Sequence, residues 1–140
     1  MDKYRVLAIQ DRMSAGNIAP SRQEIRFCVT KDNVRLAYAT VGSGYPLVKV
    51  ANCFNHVDFE WEGPIWRHWV RDLAKGYGIL RYDGRGNGLS DWEVEDVSFE
   101  SWVHDLETVV DAAGLEKFVT RRVARWPLLM PCGIRSASAT

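Results

Sequence analysis

A six-residue run with strand character, Tyr77 to Tyr82, leads directly into DGRGNGLSD, where Gly84, Gly86 and Gly88 stand at alternate positions. Three glycines so spaced do not belong inside a regular element. Each lacks a side chain to pack and gives up the most backbone entropy on ordering. The chain must therefore turn here, straight after a strand. Two uses fit such a turn: a backbone cradle for a phosphate, or a tight structural corner.

A dinucleotide cradle needs glycines at GxGxxG spacing and a helix that starts at once, so that its N-terminus meets the pyrophosphate. The spacing here is GxGxG, and the next helical pattern begins only near Ser98. Asp91, Glu93, Glu95 and Asp96 fill the gap and would repel a phosphate. The corner is the better reading.

The remaining patterns place the corner in a layered sheet. Ile25, Phe27 and Val29 alternate with Arg26, Cys28 and Thr30, and Val34, Leu36, Tyr38 and Thr40 alternate after a turn at Lys31-Asp32-Asn33. This reads as a hairpin. Gly42 to Pro46 breaks the second strand, and Leu47 to Ala51 is a short apolar run interrupted by Lys49. Cys53 to Gly63 reads as a loop. Pro64 suits the first position of a helix carrying Ile65, Trp66, Trp69, Val70 and Leu73, which ends at Gly76. After the corner, Ser98 is the expected N-cap of a helix with the stripe Phe99, Trp102, Val103, Leu106, Val109, Val110 and Ala113. Asp105, Glu107, Thr108 and Asp111 are expected on its solvated side, and Gly114 stops it. Two antiparallel strands followed by alternating strands and helices predict an α/β sheet with helices on its faces.

With 140 residues there is room for one ordinary domain, and 46% hydrophobic residues give it a core. No apolar run approaches the roughly 20 residues of a membrane span, and the charged N-terminus is unlike a secretory signal. The expectation is a cytoplasmic protein, and three cysteines without a CxxC pair fit a reducing compartment. All 18 acidic residues precede Val119, whereas Arg121, Arg122, Arg125 and Arg135 lie beyond it. Nucleic-acid binding by that basic tail is the disfavoured reading of this asymmetry.

Asp83, Arg85, Gly86, Gly88, Ser90 and Asp91 spell D-x-R-G-x-G-x-S-D. The pattern resembles the corner after the fourth strand of α/β-hydrolase-fold proteins. VRLAYATVGSGYPLVKV resembles that family's opening hairpin and third strand, and DLETVVDAAGLEKF the helix before its nucleophile strand. FEWEGPIWRHWVRDLAKGYGILRYDGRGNGLSD is similar to hydrolase-like domains found alone or fused to bacterial adenylate cyclases and helix-turn-helix regulators. The resemblance implies the N-terminal half of an α/β-hydrolase fold: an opening antiparallel hairpin, then parallel strands with flanking helices, truncated. It implies residues 1–22 as an arm or linker, 23–118 as a partial domain and 119–140 as an aberrant basic tail. The Asp and Arg of the corner are expected to hold it through hydrogen bonds. The backbone near Cys53 or Phe54 is the possible oxyanion donor, although Ala51-Asn52 stands where many hydrolases have His-Gly.

The family's chemistry needs a G-x-S-x-G nucleophile, a histidine base and an acid to orient it. No such serine follows Phe118. His56 could reach a ligand from the oxyanion loop, His68 and His104 read as surface residues, and their spacing gives no metal signature. Cys53 reads as a packed thiol, and Trp61, Trp66, Trp69, Trp92 and Trp102 as core. No cofactor or metal is implied, and a small molecule is the ligand class that fits. The tail also admits an out-of-frame origin: with suitable codons, Phe118 to Trp126 read one base later spell SSLGVSRGG, which contains G-x-S-x-G. On this reading Tyr77–Tyr82 lacks covering elements and the stripe of the last helix is only partly packed. Folding then requires the missing half or an oligomer partner, and no hydrolysis by a catalytic triad is expected from this chain. The alternative is a ligand-sensing or interaction module.

Overall fold

The computed structural model describes residues 22–52 and 54–121; most of the N-terminal arm, Cys53 and most of the basic tail lie outside the described residues. The elements are β1 (Glu24–Val29), β2 (Arg35–Val41), β3 (Tyr45–Lys49), α1 (Val57–Glu62), α2 (Arg67–Ala74), β4 (Tyr77–Tyr82), α3 (Phe99–Ala112) and β5 (Val119–Arg121). They build one five-stranded mixed sheet in the order β1-β2-β4-β3-β5. The expected hairpin forms, with Phe27 opposite Ala37. Asn33 closes its turn at φ 63, a conformation that asparagine tolerates better than most residues. β2 runs antiparallel to β4, and β3 lies parallel to both β4 and β5.

Alternation of side chains along β3 and β4 supplies two cores. Val48 and Leu80 point to one face, where they pack with Leu106, Val109 and Val110 of α3. Leu47 and Ile79 point to the other, where Trp61 of α1 and Val70 and Ala74 of α2 cover them. β4 is therefore covered on both faces, contrary to expectation: Ile79, Leu80, Arg81 and Tyr82 are all buried. Each fully buried Leu or Ile contributes about 1.5–3 kcal/mol.

Three local expectations need correction. The segment after Cys53 is not all loop, because Val57–Glu62 forms α1, with His56 as its N-cap. Pro64 does not open α2: it lies in the turn between the two helices, and regular helix begins at Arg67. The tryptophans are not all core. Trp61 is buried, but Trp66, Trp92 and Trp102 are exposed, the last because the outer edge of the α3 stripe faces away from the sheet.

α3 itself follows its sequence closely. Ser98 Oγ accepts the Ser101 N–H at 3.2 Å, and Gly114 ends the helix at φ +68. β5 adds three residues beyond the boundary expected at Phe118, with Leu47 opposite Val119. Among the described residues no helix is long and apolar enough to cross a membrane.

Among the described residues β5 pairs with β3 alone, while Phe27, Val29, Phe99 and Trp102 are exposed. An open strand edge together with exposed apolar side chains favours association. The purified 140-residue chain is expected to show concentration-dependent oligomers in size-exclusion chromatography with light scattering. A monodisperse monomer across a hundredfold dilution range contradicts this.

Candidate functional site

The glycine corner takes over where sheet pairing stops. β2 and β4 pair as far as Tyr38 opposite Tyr82. Beyond that point the Asp83 N–H donates to Ala37 O at 2.9 Å, and Ser90 Oγ accepts the Ala37 N–H at 2.9 Å. Asp91 then donates its N–H to Arg35 O at 2.9 Å and accepts the Arg35 N–H on its carboxylate at 2.8 Å. Two polar side chains and two backbone amides thus replace the missing stretch of partner strand.

Asp83 is the hub of the corner. It is fully buried, its Oδ1 accepts the Val57 N–H at 2.9 Å and its Oδ2 accepts the Leu89 N–H at 2.9 Å. Burial pushes its carboxyl up from the ordinary range, and the two N–H donors partly oppose that. Gly88 makes the arrangement possible: it sits at φ +50, and a Cβ there would overlap the Asp83 carboxylate. The N–H groups of Gly86, Asn87, Leu89, Ser90 and Asp91 all go to acceptors within the corner or on β2. They are not available to a phosphate.

Arg85 ties the corner to two distant elements. Its Nε and Nη2 bond the Asp105 carboxylate, with the shortest contact at 2.7 Å. Nη1 reaches Asp32 Oδ2 at 2.7 Å and Asp96 O at 2.9 Å. Asp105 is therefore not on the solvated face of α3, as its polarity implied; it is buried at 1% exposure beside a fully buried guanidinium. The Asp105 carboxylate raises the Arg85 pKa further. The Arg85 guanidinium and the Thr30 hydroxyl hold the Asp32 carboxyl far below the usual carboxylate range.

The loop after β3 is stitched as tightly. Asn55, 3% exposed, donates through Nδ2 to Tyr82 O at 2.8 Å, and its Oδ1 accepts from Asn52 N–H at 3.0 Å and Lys49 Nζ at 3.3 Å. The Phe54 N–H, one of the two candidate oxyanion donors, donates to Asn52 Oδ1 at 3.0 Å. The other candidate, Cys53, lies outside the described residues. His56 Nδ1 accepts the Phe59 N–H at 3.2 Å. His68 is exposed, and His104 pairs with Glu107 on the solvent side of α3.

Beneath this loop lies a charged cluster with no counterpart in the sequence reading. Lys49 and Arg81, opposite each other on parallel β3 and β4, converge on Glu60 of α1. Lys49 Nζ lies 2.7 Å from Oε1, Arg81 Nη1 lies 3.0 Å from Oε2, and all three side chains are buried. Gln23 bonds Arg81 Nη2 through its Oε1. The available signal was a cation at the same register in two neighbouring apolar strands, with an acid eleven residues beyond Lys49.

The chain path gives the loop its significance. From β3 it crosses one face, through α1 and α2, to β4; from β4 it crosses the other, through α3, to β5 on the far side of β3. Such a switch point leaves a crevice at the carboxyl ends of the strands, where α/β sheets bind ligands. Residues 50–52 and 54–56 follow β3 at that end of the sheet. Among the described residues no cluster of His, Cys, Asp and Glu could hold a metal.

Three outcomes follow from this geometry. Arg85→Met leaves the buried Asp105 side chain with the backbone N–H of residue 85 but without its guanidinium, and is expected to cost about 3–5 kcal/mol in urea unfolding; a loss under about 1 kcal/mol contradicts the clamp. Gly88→Ala is expected to cost about 2–4 kcal/mol, from a strained positive φ and the displaced Asp83–Leu89 bond. Asp32 has a depressed folded pKa, so its contribution is complete above its ordinary value of 3.8 and is lost as pH falls through the folded value. Asp83, with a raised folded pKa, has the opposite sign: its cost appears as pH rises through the carboxylate range. Asp32→Asn is thus expected to flatten the acid limb of stability against pH. Because Asp32 is half exposed, the effect stays under about 1 kcal/mol; an unchanged limb counts against it.

No family model and no curated protein matches the chain. Solved structures do. A hydrolase from Pseudomonas aeruginosa superimposes with a TM-score of 0.61 at 21% identity, over 79% of this chain and 38% of that one. An epoxide hydrolase from Vigna radiata gives 0.59 at 18% identity, over 71% and 30%. An alpha/beta hydrolase from Sphaerobacter thermophilus gives 0.50 at 26% identity, over 64% and 32%. The chain thus spans about a third of the length of these proteins, and the likeness shows its fold: the opening portion of an α/β-hydrolase fold.

Proposed function

We propose that this chain carries the scaffold and ligand-loop portion of a hydrolase-like domain whose full-length relatives cleave ester, amide or similar bonds through a serine nucleophile. The observation that carries the reading is the switch point between β3 and β5, together with the loop after β3 that Asn55 fixes to β4. Ligands collect at such crevices, and the chemistry of acyl transfer needs backbone donors held rigidly there. Hydrolase and epoxide hydrolase neighbours support the fold on which such chemistry is built, the ester- or amide-cleaving class being this proposal's own step. The 140 residues contain no G-x-S-x-G, and the three histidines pair with no nucleophile among the described residues. The chain by itself is therefore inactive as a triad hydrolase and depends on the rest of the fold, or on a partner, for chemistry.

A second reading is a small-molecule sensing or interaction module from an adenylate cyclase or transcription regulator. It rests on the resemblance of the sequence to such domains, and the loop that Asn55 holds to β4 is a feature it would use. The coding DNA and its downstream neighbourhood separate the two, since a cyclase or helix-turn-helix region supports the second.

The purified chain is expected to hydrolyse p-nitrophenyl acetate and longer p-nitrophenyl esters no faster than buffer containing an equal mass of serum protein. Turnover that survives repurification and saturates with substrate overturns the inactive reading.

A further inference from the structure

The charged cluster under the loop contains a buried nitrogen without an acceptor among the described residues. Arg81 has 0% exposure, and its Nη1 and Nη2 are engaged by Glu60 and Gln23. Its Nε–H meets no hydrogen-bond partner among the described residues. Leaving a buried donor unpaired is unfavourable, and more so for a charged group. Such donors are where internal waters sit, provided other polar groups are close enough to hold the water.

Those groups are present. Among the described residues the two Glu60 oxygens each accept one bond, from Lys49 and from Arg81, and each retains a lone pair. Gln23 Oε1 accepts from Arg81 and also retains a lone pair. An incoming acceptor that can also donate would satisfy both sides. Charge decides between an anion and a neutral molecule. Lys49 and Arg81 face Glu60 directly, and the carboxylate of Asp83 also acts on Arg81. Two cations against the carboxylates of Glu60, Asp83 and Asp58 leave no excess positive charge for an anion to neutralise, and a halide has no proton to give to Glu60.

We infer that Arg81 Nε–H donates to an internal water, which in turn donates to Glu60 or Gln23 and completes the cluster. This site sits in the same network that reaches the loop through Lys49 and Asn55, and it does not depend on the chain having any hydrolytic role.

A crystal structure of the whole chain at about 1.5 Å or better, with one crystal soaked in sodium bromide, tests this. The expected result is a fully occupied peak at hydrogen-bond distance from Arg81 Nε, with no anomalous signal from bromide. A bromide peak there overturns the neutral acceptor. Direct bonding of Nε to a protein atom, or a dry Nε, overturns the site. In solution, the Arg81 Hε resonance of the wild-type chain is expected to show a rotating-frame cross-peak to a long-lived water. An Hε that sees no water contradicts the proposal.

Discussion

One guanidinium makes three separate stretches of chain behave as a unit. Arg85 spends its donors on the β1–β2 turn at Asp32, on the segment before α3 at Asp96 and on α3 itself at Asp105. Without it the corner would be a glycine-rich excursion with high conformational entropy, and α3 would carry a buried, uncompensated carboxylate. The planar fork suits this task, because its donors are spread over three nitrogens and reach three separate partners, whereas a lysine's donors all sit on one nitrogen. The position of α3 over β4, and so of the core around Leu80, depends on this contact as much as on apolar packing.

Burying charge is a costly way to hold a sheet together, yet the protein does it twice, once on each face. On the α3 face the pair is Arg85 and Asp105. On the α1 face it is Lys49 and Arg81 with Glu60. A well-packed apolar replacement is often as stable or more so. What the ionic version adds is direction: Glu60 can satisfy both cations only if α1 lies at one height along β3 and β4. Asn55 then passes that placement on to the loop at the switch point. In this way geometry near the crevice is set from inside the sheet.

The sheet was legible in the sequence because alternation and glycine positions are local signals. Tyr77–Tyr82, the hairpin and the limits of α3 all follow from residues within a few positions of one another. The errors share a cause. A charged side chain reads as solvated unless its partner is known, and the partners lie far off in the chain: Asp105 is 20 residues from Arg85, and Arg81 is 21 from Glu60. α1 escaped detection because its six residues give less than two helical turns of pattern, and one of its three buried positions is that acid. Pro64 misled because its fixed φ suits an inter-helix turn as well as a first helical position. At the candidate site the corner motif was readable as a motif, but the role of Asn55 was not, since nothing local distinguishes a clasping asparagine from a loop asparagine.

The way β2 passes from a strand partner to the side chains of the corner has a bearing on how this chain can diverge. Surface connections normally absorb insertions and deletions with little loss. Between Asp83 and Asp91 the spacing is metered at both ends, since Ser90 and Asp91 must meet Ala37 and Arg35 while Asp83 stays under Val57. A single added residue would shift every one of those meetings. An insertion is better placed in the stretch that follows Trp92, whose Nε1 still donates to Gly88 O, where Glu93 and Glu95 are exposed. A new loop, tag or recognition segment grafted there leaves the spacing of the nine residues that stand in for a strand unchanged.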